Sequence, residues 1–219
     1  MEPKILPPLY LVTNRHQTKN RPLLTVLHEA LQAGVRLIQL RERDLNTPNL
    51  LTLAAEVLTI SRSYNALVLI NDRVDVAKAL GADGVQLRAN SLPIHVTRRI
   101  LGPQALIGAS AHNAREVMVA EAEGADFIVL GPVFDTPAKR MYGPPLGIQG
   151  LEQVRQICHK PLYAIGGLTP ERVMEVREAG AYGVAVISSI LESTSVSNST
   201  RQFLSALTNG EDRSKCNSL

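Results

Sequence analysis

Tryptophan is absent and aromatic residues make up only 4% of the chain, so there is little from which to build a platform for stacked bases. Charge of one sign is scarce as well. The formal net charge is +3 in 219 residues, and although the sequence pI is near 9.0, the cations are scattered instead of forming one basic stripe. No nucleic-acid partner is expected from that distribution. Cysteine is limited to Cys158 and Cys216, too few and too far apart for a disulfide framework or a metal cluster, which fits a reducing compartment. Long hydrophobic runs are missing too: the opening stretch MEPKILPPLYLVTNR breaks its short apolar pieces with prolines. Neither a cleavable signal nor a bilayer-spanning segment is expected, and hence no membrane partner. These absences predict a soluble, cytoplasmic protein. They leave oligomeric state open, and a homo-oligomer is compatible with them.

What is present is a periodic α/β chain. With 45% hydrophobic residues, the sequence can bury one sizeable core, and one domain over residues 1–208 is the default. Four segments repeat a pattern of small turn followed by short apolar run: AGVRLIQL from 33, GADGVQL from 81, GADFIVL from 124 and GAYGVAV from 180. In each, the glycine suits a left-handed helix C-cap and the run is short enough for a buried parallel strand. LYLVT from 9, ALVLI from 66, ALIGAS from 105 and LYAIGG from 162 bring the strands to eight. Helical spacing lies between them, as in Leu23, Leu24, Leu27, Ala30 and Leu31, or in Leu50, Leu51, Ala54, Val57 and Leu58. Thr169 before Pro170 and Glu171 reads as a capped helix start. Eight βα units in a chain this short predict a closed (β/α)8 TIM barrel. The other option, a doubly wound sheet, lacks a GxGxxG after the first strand. The last residues, 209–219, are polar and unpatterned and are expected to be disordered.

A barrel places its chemistry just past the carboxyl ends of the strands. Those positions hold Gln39 and Arg41 to Arg43, Asn71 and Asp72, Arg88 to Ser91, Ser110 and His112, Gly166 and Gly167, and Ser188 and Ser189. Adjacent glycines before a helix start let backbone amides approach an anion, and the two serines add hydroxyls, so a phosphate is expected there. The same residues would also serve a tight turn and a helix cap. After the sixth strand the chain builds a loop, GPVFDTPAKRMYGPPLG at 131–147, rich in proline and carrying Lys139 and Arg140. Such a stiff, cationic loop suits a lid over a substrate anion, with a solvated surface loop as the plain alternative. Asp83 and Asp126, which precede their strands, read as structural.

IQLRERD from 38, INDRVDVA from 70, ADGVQL from 82, GASAH from 108, LGPVFDTPAK from 130, GPPLG from 143, AIGGLTPE from 164 and GVAVISSI from 183 occur in order. Together they resemble the motif series of thiamine-phosphate synthase and its TenI relatives, the thiazole tautomerases. The resemblance runs from about Leu9 to Leu191. It implies that Gly166, Gly167, Ile187 and Ser188 hold the phosphate of a small-molecule substrate, a thiazole phosphate, and that Thr136 and Lys139 come from the lid loop.

The branch is read from the departures. A synthase joins a pyrimidine diphosphate to thiazole phosphate and uses Mg²⁺, held in the family by one aspartate after strand three and another in a GQED-like stretch after strand four. Asp72 matches the first. The second stretch reads RANS, with Ser91 in the place of the aspartate and Arg88 beside it, which weakens a hard-cation site. The synthase QxRxK reads QLRER, with Arg43 for lysine, and TxTK reads TPAK, with Ala138 for threonine. These departures favour a TenI-type thiazole tautomerase, which needs no metal and no other cofactor. A tautomerase needs proton transfer, for which His112, Lys139 and Glu42 are the candidates, histidine being the side chain that changes charge near neutral pH. Against this branch stands Pro132, where a tautomerase carries a histidine. Gln39, Arg41, Arg43, Asn71, Asp72, Ser110 and Thr136 complete the expected substrate contacts, Arg41 because its planar fork can grip a carboxylate twice. Asn71 and Asp72 would equally well cap the helix starting at Val74. A synthase with Mg²⁺ at Asp72, or a binder of the same phosphate without catalysis, are the alternatives.

Overall fold

Strands of four to six residues with no alternation of polar and apolar side chains have to be covered on both faces, and closure into a barrel wrapped by helices does that. The computed structural model describes residues 6–136 and 144–216. Its strands are β1 (Leu9–Val12), β2 (Leu37–Leu40), β3 (Leu67–Asn71), β4 (Gly84–Leu87), β5 (Leu106–Ala111), β6 (Phe127–Leu130), β7 (Leu162–Ile165) and β8 (Gly183–Val186). All pair in parallel and in chain order, and β1 pairs with β8 through Leu9 opposite Val184, so the sheet closes. A doubly wound sheet is thereby ruled out. Helices α1 (Leu23–Ala33), α2 (Thr47–Arg62), α3 (Val74–Leu80), α4 (Ile94–Leu101), α5 (Ala114–Ala122), α6 (Gly147–Ile157) and α7 (Val173–Glu178) follow the first seven strands. The chain ends in α8 (Ser188–Leu191) and α9 (Val196–Cys216).

The repeated glycine turn is what makes each crossover short. Gly34, Gly81, Gly124 and Gly180 all have positive φ, at 117°, 61°, 93° and 91°. At Gly81 and Gly124 a side chain would meet nothing within 4 Å, so there the requirement is torsional and not one of space.

Two cores result. The larger lies between the strands and the helices, and the smaller fills the barrel. Three of the chain's few aromatics, Tyr10, Phe127 and Tyr163, meet inside the barrel edge to face at 5.4–5.7 Å, and Tyr182 meets Tyr163 in the same way at 5.5 Å. Such pairs add about 0.5–1.5 kcal/mol each beyond the area they bury. Tyr163 donates its hydroxyl to the Pro7 carbonyl at 2.7 Å, and Tyr182 donates to that of Leu6, so the plug ties down the segment before β1.

At the amino ends of the strands the two aspartates do the structural work expected of them. Asp83 accepts from the Val68 amide at 2.9 Å; Asp126 accepts from the Ile107 amide and from Arg98, both at 2.7 Å. Helix α9 buries Val196, Phe203 and Leu207 against α1 and α7. Its backbone stays helical across 209–216, which the sequence leaves unpatterned, because extending an anchored helix needs no new nucleus. Residues 217–219 lie outside the described residues. Among the described residues no helix is long and apolar enough to cross a membrane.

Candidate functional site

Above the aromatic plug the barrel interior turns polar. Gln86 of β4, only 2% exposed, accepts from the Tyr10 hydroxyl at 3.4 Å and donates to Ser110 Oγ at 3.1 Å. Gln39 of β2 donates to Asn71 Oδ1 at 3.1 Å. Burying primary amides is costly unless they are bonded, and here each has a partner on a neighbouring strand. Sequence reasoning named Gln39, Asn71 and Ser110 but missed Gln86. Its signal was a glutamine inside the apolar run GVQL.

The strand alternation that sets Gln39 and Gln86 in this layer brings Arg41 and Arg88, two residues on, to the barrel mouth. Asp72 lies between them, just after β3, in the left-handed region with φ 62°. Its Oδ2 accepts from Arg88 Nε at 3.0 Å and from Arg88 Nη2, and its Oδ1 accepts from the Ser91 hydroxyl. Ser91 Oγ in turn accepts from the Arg88 amide at 2.8 Å. Asn71 and Asp72 therefore do not cap α3, whose N-terminus has no side-chain cap at all. Arg88 is the ion-pair partner of Asp72.

Arg41 is anchored through its backbone amide, which donates to Thr13 Oγ1 at 2.9 Å, while its guanidinium has no hydrogen bond to any described residue. Burial lowers its pKa from the ordinary arginine value, and the like charges of Arg43 and Arg88 push the same way. A half-buried cation beside two others favours an anion. Arg43, Arg73 and Arg88 line a cleft of about 230 Å³ together with Glu42, Asn71 and Asp72.

Glu42 is not available for proton transfer. Its carboxylate is nearly inaccessible and accepts from Thr13 Oγ1 at 2.6 Å, from the Arg15 amide at 3.1 Å and from Arg15 Nη1 at 3.2 Å. It organises the loop after β1, a role invisible without knowing that Thr13 and Arg15 stand beside it. His112 turns toward its own helix: its amide donates to Glu116 Oε2 at 2.8 Å, and its Nδ1 lies 3.0 Å from the same oxygen. The geometry makes it part of the start of α5. Lys139 lies outside the described residues, in the central part of the loop at 137–143. The loop's two ends are tied together, since the amides of Leu146 and Gly147 donate to the carbonyls of Pro132 and Val133 at 2.9 and 3.0 Å.

On the opposite side of the mouth, Gly166 and Gly167 have φ of 102° and 62°. A side chain on Gly166 would come within 2.6 Å of Pro132, and one on Gly167 within 2.7 Å of the Asp135 carbonyl. The glycines therefore admit the stem of the loop after β6. They lead into a 3-10 turn over Pro170–Arg172 that runs directly into α7, so the helix start expected at Thr169 is present, but Thr169 makes no side-chain capping bond; its hydroxyl instead holds the Glu171 carboxyl below the usual range. Ser188 is exposed at the start of the four-residue α8, next to Ile187, while Ser189 donates to the Leu168 carbonyl at 2.5 Å and joins the last two loops. Thr136 stands at the last described position before the loop's central part.

An eight-stranded parallel barrel with polar and cationic groups gathered at the carboxyl ends of its strands defines a (β/α)8 protein whose site is built from its βα loops. Within that class, the chain belongs to the thiamine monophosphate synthase family, whose model matches residues 9–190. It is 45% identical to a putative thiamine-phosphate synthase of Geobacter sulfurreducens over 199 residues, covering 91% of this chain and 93% of the relative. It is 38% identical to a thiamine-phosphate synthase of Clostridium novyi, covering 88% and 95%. Among solved structures, a thiamine phosphate pyrophosphorylase from Pyrococcus furiosus superposes with a TM-score of 0.83 at 34% identity, covering 92% and 96%.

These relatives carry synthase and pyrophosphorylase names, and they overturn the choice of a thiazole tautomerase. The departures at Arg43, Ala138 and Ser91 do not by themselves separate the two branches. Pro132, which cannot move a proton, was the more telling residue.

Proposed function

We propose that the chain is a thiamine-phosphate synthase, a transferase that joins a pyrimidine diphosphate to thiazole phosphate and releases pyrophosphate. The observation that carries this reading is the 45% identity to a putative synthase along nearly the whole of both chains. The bond from the pyrimidine methylene carbon to its diphosphate breaks, that carbon forms a bond to the thiazole, and the electron pair leaves on pyrophosphate. What the protein must supply is alignment of two anionic substrates and stabilisation of the charge that builds on the leaving group.

In this reading the loops after β7 and β8 receive the thiazole phosphate at Gly166, Gly167, Ile187 and Ser188, and Thr136 and Lys139 are supplied by the loop after β6, as the resemblance implies. The polar layer of Gln39, Asn71 and Ser110 faces the pyrimidine, and Arg41 and Arg43 meet the diphosphate. The resemblance implies Mg²⁺ as well. The donor set does not suit it: the carboxylate that would hold it, Asp72, already has one oxygen on Arg88 and the other on Ser91. A hard cation prefers carboxylate and phosphate oxygens free of a competing cation. A reducing, cytoplasmic setting suits Cys158, a buried free thiol.

Purified protein given both substrates should form thiamine phosphate and pyrophosphate in equal amounts, read by phosphorus NMR. Absence of both products at enzyme concentrations comparable to substrate would refute the synthase reading.

A further inference from the structure

We propose that Arg88 does the work of a metal ion at the leaving-group end, so that this protein binds a diphosphate directly through the guanidinium groups of Arg41, Arg43 and Arg88 without a divalent cation. The diphosphate as ligand rests on the synthase reading; the cationic site rests on geometry.

Three observations converge. First, Asp72 and Ser91 hold Arg88 from two directions, through its side chain and through its backbone amide. A guanidinium so fixed is preorganised. Nη1 is not among the atoms that Asp72 engages and has no hydrogen bond to a described residue, so its donors are free for phosphate oxygens. Second, Arg41 and Arg43 have no carboxylate partner among the described residues that pairs with them, and the one buried acid nearby, Glu42, is engaged by Thr13 and Arg15. Arg73 is paired with Asp75 at 2.6 Å and does not compete for the anion. Third, among the described residues no group of three histidine, cysteine or acidic side chains gathers anywhere to hold an ion. The charge that a divalent ion would bring is present here on side chains, of which Arg88 is held in place. Arginine suits the task because it stays charged and grips phosphate with paired N–H groups.

Isothermal titration of the full-length protein with inorganic pyrophosphate, in EDTA and separately in Mg²⁺, tests this. Binding in EDTA with a Kd within about threefold of that in Mg²⁺ is expected, since the cationic partners are covalent. Arg88→Ala should weaken that binding on the order of ten- to a hundredfold, the loss typical of hydrogen bonds to a charged group. Arg88→Lys should recover only part of it. If Arg88→Ala does not fold, judged by its melting curve, Arg41→Ala replaces it, because that guanidinium holds no structural bond and its loss should weaken binding comparably. Binding seen only with Mg²⁺, binding in neither buffer, or full affinity in the arginine variants overturns the inference. Each of those results leaves the synthase reading to its own product assay, so the two fail separately.

Discussion

At the scale of single residues, the site's character depends on which charged groups are already engaged. Arg15 is the hinge of one cluster: it reaches Glu42, and it grips Asp44 with both terminal nitrogens at 2.6 Å, while His16 Nε2 stands 2.9 Å from the same carboxylate. The bonds from Arg15 and then His16 hold the Asp44 carboxyl well below the ordinary range. A carboxyl whose pKa is depressed by folding adds stability that is complete above its unfolded value, about 4, and is lost as pH falls through the folded one. NMR titration should therefore find Asp44 still ionised where free aspartate has protonated, and Arg15→Ala should move it upward. An ordinary titration in the unaltered protein would remove this ion pair from the account.

Within the barrel, Phe127 makes edge-to-face contacts with both Tyr10 and Tyr163 and is fully buried. Phe127→Ala should cost about 3–5 kcal/mol in urea unfolding, because the plug is confined by eight strands and cannot collapse into the space. A cost below about 1 kcal/mol would mean that the interior repacks freely.

At the scale of elements, the βα loops divide between those closed by backbone and those closed by side chains. The loop after β7 belongs to the first kind. Phe134 donates its amide to the Gly166 carbonyl at 3.1 Å, Val133 to that of Ile165 at 2.9 Å, and Arg172 covers the Phe134 ring at 4.4 Å while donating to the Gly167 carbonyl at 2.6 Å. Gly167→Ala meets both a left-handed backbone and the Asp135 carbonyl, so a loss of at least about 1–2 kcal/mol in stability is expected. The substitution should also weaken substrate binding, since the stem of the loop after β6 must shift to admit it. Unchanged stability in chemical denaturation would show that the turn can adopt another conformation.

Elements were also where reading the sequence succeeded best. The four glycine turns at 34, 81, 124 and 180 sit where the repeat placed them, because a positive φ after a helix is a local demand that one residue type answers. Thr169 illustrates a partial case. The residues Thr, Pro and Glu do start a helix, through a 3-10 turn that runs into α7, yet the Thr169 hydroxyl serves Glu171 instead of capping it. Competition between a cap and a nearby side chain is settled by geometry that spacing does not carry.

At the scale of the whole molecule, the barrel follows from eight short apolar runs alternating with amphipathic helices in a chain too short for much else. Closure then forces residues far apart in sequence into one ring, and the ring determines the chemistry. Asp72 meets Arg88 across 16 positions, Thr13 meets Glu42 across 29, and Gln39 meets Asn71 across 32. Each of these pairs changes the role of a residue that looked free in the sequence. Glu42 passes from acid/base candidate to loop anchor, and Arg88 is the ion-pair partner of Asp72.

The amino-acid order by itself determined the alternation of strands and helices, the glycine turns, the rim positions and the family, because all of these depend on short-range pattern or on motifs in register. Only the folded molecule decided which rim charges are paired and which are left to meet a substrate. The reason is electrostatic and steric: a charged group's task depends on neighbours within a few ångströms, and in a closed barrel those neighbours come from other strands.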